Sequence, residues 1–126
     1  MTQRPPTPRA LSGPRALLAA NYGLAIWALC FLVLYILLSV GCQLPTLADS
    51  QLLGLPALTL LLSSLWLLHA AWLLWLLGRA HRRWKALTEA PADAKFASML
   101  TLTLHGGALL AVIWTGFPIV LLPACM

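Results

Sequence analysis

The chain has 126 residues, of which 61% are hydrophobic and 9% charged, with a formal net charge of +5. A soluble domain carries about a quarter charged residues, so the composition excludes an ordinary water-soluble fold. Three apolar stretches each exceed the roughly 20 residues that cross a bilayer as helix, and they leave no room for a second, soluble domain. The basic balance does not point to nucleic acid, because the bases flank apolar stretches, where they act as topology signals and as partners for anionic lipid.

Residues 1–16 hold four prolines, three arginines and no acid. Proline fixes φ and removes a backbone donor, so the stretch reads as a disordered basic cytoplasmic tail. Residues 17–41 form the first predicted span; at 1.5 Å per residue they reach about 37 Å, enough to cross with some tilt. The stretch is too long for the apolar region of a secretory signal, and no small-x-small cleavage site leads from it to a soluble domain. Ala19 and Gly23 are a small-xxx-small pair that lets another helix approach closely; the pair is equally ordinary composition for a Leu/Ala-rich helix. Residues 42–51 carry Pro45, Asp49 and no base, and read as an outer loop.

Residues 52–77 form the second predicted span, with Pro56 in its first turns, where a missing N–H costs little. Trp75 and Trp84 bracket its inner boundary, where indoles sit at headgroup level. Trp66 and Trp72 lie deeper and are expected to pack against lipid or neighbouring helices. Residues 78–96 place Arg79, Arg82, Arg83, Lys85 and Lys95 against Glu89 and Asp93. They read as a basic cytoplasmic loop whose first part can continue the second span as helix until Pro91 stops it. Residues 97–122 form the third span, with Gly106, Gly107 and Gly116 as contact positions and Pro118 near the outer end. Residues 123–126 are a short outer terminus.

All eight bases, Arg4, Arg9, Arg15, Arg79, Arg82, Arg83, Lys85 and Lys95, precede the first span or lie between the second and third. Cytoplasmic loops collect Lys and Arg, and that bias sets orientation. The expected fold is an all-α integral membrane bundle of three transmembrane helices, N-terminus inside and C-terminus outside. Six arginines against two lysines, with Leu and Ala dominant, suit a bacterial inner (cytoplasmic) membrane.

Chemistry is sparse. Cys42 and Cys125 fall just beyond the outer ends of the first and third spans, and thiols facing an oxidising compartment tend to pair. A disulfide is the leading reading. The alternatives are two unrelated free cysteines, a Cu(I) site in which Met126 adds a thioether, and, for Leu38-Ser39-Val40-Gly41-Cys42, a lipobox. Cys30 lies mid-span and acts as a small apolar residue. His69 and His105 sit at matched predicted depths of about 12–14 Å from the inner boundary. Intramembrane ionisable residues are functional candidates, so the pair reads either as a bis-His haem or metal site or quinone contact, or as neutral imidazoles hydrogen-bonded within the bundle. His81, among arginines, reads as a wet loop residue. The chain has no phosphate-binding Gly-rich loop, and its acids, Asp49, Glu89 and Asp93, all fall outside the predicted spans. A proton-coupled transporter would carry a buried carboxylate, and no enzymatic activity is expected.

The stretch Trp27-Ala28-Leu29-Cys30-Phe31, Cys42, and the run Pro118-Ile119-Val120-Leu121-Leu122-Pro123-Ala124-Cys125 resemble features of small inner-membrane proteins that accompany haem–copper cytochrome c oxidases. The resemblance spans most of the chain, but a histidine usual in the first span of that group is replaced here by Cys30. It implies an accessory role beside a respiratory oxidase rather than a catalytic one. Three function readings follow: an accessory or small subunit of a larger membrane complex; a haem- or copper-handling protein using His69/His105 or Cys42/Cys125; and a small holin-like pore former.

Overall fold

The structure, a computed structural model, describes residues 14–122 and Cys125. The element order is α1 (Pro14–Gly41), α2 (Pro45–Ala48), β1 (Gln51–Leu52), β2 (Leu55–Pro56), α3 (Ala57–Ala86) and α4 (Ala92–Leu121). Three of these helices are long and apolar enough to cross a membrane. The chain is an all-α, three-helix bundle of a multi-pass membrane protein. Helices of 28, 30 and 30 residues measure about 42–45 Å, longer than the roughly 30 Å of hydrocarbon, so each projects into the headgroup region.

Local chemistry explains the ends. α1 begins at Pro14, whose fixed φ suits a first helical turn; Pro14, Arg15 and Ala16, expected in the irregular tail, are helical, and residues 1–13 lie outside the described ones. Past Gly41 the chain is not a plain loop. Pro45 starts the single turn of α2, closed by the Asp49 N–H donating to the Pro45 carbonyl at 3.0 Å. Gln51–Leu52 and Leu55–Pro56 then pair antiparallel. Their two-residue turn has positive φ at both Leu53 (58°) and Gly54 (79°), as a tight right-twisted hairpin requires. Pro56 caps α3 rather than lying inside it, so the second span starts at Ala57 and not at Leu52.

The basic segment 78–96 is mostly helix: its first part continues the second span, as expected, and the third span begins at Ala92, earlier than the expected Ala97. α3 runs on through Arg79–Lys85 to Ala86, and α4 begins at Ala92, leaving only residues 87–91 as connection. Arg, Ala and Lys are good helix formers, and cations near a helix C-terminus favour its dipole. The helix closes with the Leu87 N–H donating to the Trp84 carbonyl and the Thr88 hydroxyl to the Lys85 carbonyl, and Pro91 caps α4. Asp93 stands in the first turn of α4, where an anion suits the dipole.

α4 packs on both α1 and α3, and the α1–α3 interface is smaller. α1 and α4 run parallel, with α3 antiparallel between their ends. The interior is thin and mixes small groups, Ala20, Cys30, Ala80, Ala94 and Ala108, with the larger Ile26, Leu34, Leu58, Leu62, Leu73 and Val112. Most large apolar side chains face outward, Trp114 at 81% exposure among them. Such a surface is untenable in water but is ordinary in lipid, where close backbone approach drives helix association.

Candidate functional site: the two ends of the bundle

Close contacts set the register of the helices. A side chain at Gly23 of α1 would press on the His105 ring and backbone of α4. Cys42, one residue beyond α1, is bonded to Cys125, with Cα atoms 5.6 Å apart. The two pairs are offset by nearly the same number of residues, so α1 and α4 stay in register along most of their length. On the other interface, the Trp66 indole covers Gly116 and donates its Nε1–H to the Val112 carbonyl at 2.8 Å. Leu77 approaches Gly106, and Leu58 of α3 fills the space beside Gly41 of α1.

This register gathers Arg15, Arg79, Arg82, Arg83, Lys85 and Lys95 toward one end of the bundle and the Cys42–Cys125 bond at the other. Arg4 and Arg9 lie outside the described residues, as does Met126. The thiol pair, read from the sequence as two outer cysteines, is brought together. Cys30 is buried in the core cluster.

The histidines are not brought together. Trp66 over Gly116 and Leu77 beside Gly106 place His69 level with Ile113 and Trp114, so His105 lies some eight or nine residues, roughly 13 Å, further along the axis. The matched depths inferred from sequence assumed a turn beginning at Gly78, whereas the true turn is at residues 87–91. Each ring instead bonds to its own helix: His69 Nδ1 to the Leu65 carbonyl and His105 Nδ1 to the Thr101 carbonyl, both at 2.8 Å. A carbonyl only accepts, so Nδ1 carries a proton in each, and Nε2 is left out of that bond. Among the described residues, no group of three or more His, Cys, Asp or Glu is clustered at metal-binding separation. His81 is exposed on α3 with its ring 6.1 Å from that of Trp84, not in a loop.

The glycines divide. Gly23 and Gly116 are consumed inside the bundle, by His105 and Trp66, whereas Gly107 is exposed with no atom within 4 Å of the place a side chain would take. Trp66 packs on a neighbouring helix, and Trp72 and Trp75, 5.4 Å apart, are half-exposed on the outside of α3.

A feature that sequence reasoning missed lies at the basic end. The three long helices border a cavity of 510 Å³ there, within the size range of small-ligand sites. α3 contributes Arg79 and Arg83, one turn apart; α4 contributes Ser98, Thr101 and His105; α1 contributes Tyr22. Between them the wall is mostly alanine, Ala16, Ala19, Ala80, Ala86, Ala94 and Ala97, with Leu76 and Leu87. His105 is only 4% exposed, so it forms the closed inner part, while Arg79 and Arg83 are exposed at the rim. The signal in the sequence was the clustering of alanine at the basic ends of all three helices. Nothing in one dimension shows that these alanines face each other.

Comparison with protein-family models, with curated proteins and with solved structures finds no match to this chain.

Proposed function

We propose that the chain is a non-catalytic accessory or small subunit of a larger complex in a bacterial inner membrane, with a respiratory cytochrome oxidase as the candidate host. The observation that carries this reading is the unpartnered outer face of α4. Leu100, Thr103, Gly107, Leu110, Trp114 and Phe117 recur at alternating three- and four-residue spacing and are all exposed. That spacing is the seam of a left-handed helix pair, and Thr103 with Gly107 is a small-xxx-small step in its middle, where a neighbouring helix can come close. The orientation we propose puts the basic end in the cytoplasm. Two arguments agree on it: cations resist transfer and collect inside, and the Cys42–Cys125 bond at the opposite end needs an oxidising compartment.

Purification of the tagged chain in mild detergent, followed by mass spectrometry and an absorption spectrum, tests the role. A larger membrane complex should co-purify, and Gly107→Leu should release it while leaving the helix content and the disulfide intact. Recovery of the chain alone, or equal recovery of the complex by Gly107→Leu, would refute the interface. A Soret band that disappears in His105→Ala would favour the haem-handling reading instead. For orientation, a reporter fused after Met126 should be active outside the cytosol; activity confined to the cytosol reverses the topology.

A further inference from the structure

The accessory role does not use the cavity at the basic end, and its walls have distinct chemistry. On α4, Ser98, Thr101 and His105 recur at the three- and four-residue steps that put them on one face, all lining the cavity. They offer two hydroxyls and an imidazole Nε2. Across from them, Arg79 and Arg83 share one face of α3. No acid stands among the lining residues. The amino ends of α1 and α4, whose backbone dipoles favour an anion, both open toward this end.

The same two arginines also line a second, outer recess on the exposed side of α3, with Trp75, Arg82 and Ala86. The Arg79 guanidinium lies 5.4 Å from the centre of the Trp75 ring, a cation–π contact that holds it where an indole meets headgroups. Arg79 and Arg83 are thus the common wall between the cavity and the membrane surface. Trp75 beside Arg79 argues that a charged group reaching them has its source in the headgroup layer, where indoles sit.

We propose that the cavity binds the headgroup of an anionic phospholipid. Its phosphate sits between Arg79 and Arg83, whose planar forks match a phosphate oxygen pair. Its polar head extends inward to Ser98, Thr101 and His105, and its chains remain in the bilayer. Alanine lining serves this occupant because it leaves volume without competing charge. A zwitterionic head would bring its own cation against two guanidinium groups in a recess lined by no acid, so the site discriminates by charge.

The test uses the full chain in mild detergent, with thermal unfolding and bound-lipid analysis as readouts. Phosphatidylglycerol should raise the unfolding midpoint and be retained about tenfold more than phosphatidylcholine, a difference of about 1.4 kcal/mol. Arg79→Gln/Arg83→Gln should abolish the selectivity. Arg82→Gln, which removes a charge from the outer recess but not from the cavity wall, should keep it. Ala97→Phe, which fills the cavity and leaves every charge in place, should also abolish retention while the protein keeps its helix content and disulfide. Four results would overturn the proposal: equal retention of both lipids by the natural chain, undiminished selectivity in the double variant, loss in Arg82→Gln as large as in the double variant, or full retention by Ala97→Phe. Inorganic phosphate stabilising the chain as strongly as phosphatidylglycerol would assign the site to a free anion and overturn the membrane source.

Discussion

The two ends of the bundle are built on opposite plans. At the disulfide end, contacts leave no space: Leu58 fills the position beside Gly41, the Trp66 indole covers Gly116, and Cys42 is bonded to Cys125. At the basic end, the same three helices border a 510 Å³ cavity walled mostly by alanine and closed by His105. Both ends use small residues, to opposite effect. A glycine facing a large side chain on the next helix draws the backbones together. An alanine facing another alanine leaves a void, because neither side chain reaches across. Small residues therefore permit close packing only where the partner is large, and where the partner is also small they make room for something else.

Mutations separate the two plans, beginning with the largest effect. Cys42→Ser removes a link between residues 83 apart. The chain-entropy view gives roughly 4 kcal/mol for a loop of that length, an upper figure here because insertion already restrains the unfolded chain. Denaturation with sodium dodecyl sulfate in mixed micelles, with and without reductant, should show a reduction-sensitive stability in the natural chain and none in the variant. Equal stability of the two under oxidising conditions would mean that the bond does not hold the helices.

Gly116→Ala comes next. Its methyl group would collide with the Trp66 indole, which is pinned by its bond to the Val112 carbonyl; overpacking of this kind costs about 1–3 kcal/mol. Gly107→Ala meets open space, and exchanging glycine for alanine in a helix favours the fold by up to about 1 kcal/mol. The same titration should move in opposite directions for the two glycines. Destabilisation by both would erase the distinction between an inward and an outward glycine face.

The smallest effects come from two tryptophans. Trp66→Phe loses the bond to Val112 and should cost about 0.5–1.5 kcal/mol beyond the change in packing. The Trp27 Nε1–H is buried with no partner among the described residues, so Trp27→Phe removes an unsatisfied donor and should be neutral or slightly stabilising. If Trp27→Phe destabilises more than Trp66→Phe, shape and not hydrogen bonding governs both sites.

What could be read in advance follows a pattern. The three spans were legible because lipid demands long apolar helices, and hydropathy registers that directly. The pairing of Cys42 with Cys125 was legible from parity: two crossings, an even number, separate the two, so both reach one end. The ends of the helices were less legible. The continuation of α3 past Gly78 was readable, because charge does not stop a helix, but the start of α4 at Ala92, ahead of the expected Ala97, was not. That shift of several residues moved the turn and with it the relative heights of His69 and His105.

By itself, then, the order of residues determined that this chain crosses a membrane three times as helices, with its cations gathered at one end and its two terminal thiols at the other. It did so because transfer from water to hydrocarbon is a property of each segment and barely depends on its neighbours. The rotation of each helix about its axis was decided only by the assembled bundle. That rotation turned Gly23 and Gly116 inward and Gly107 outward, and it set six alanines face to face around a cavity. The reason is that a helix apolar on all sides carries almost no periodic signal of its own. Which face it buries is chosen by how its small and large side chains fit those of the helices beside it.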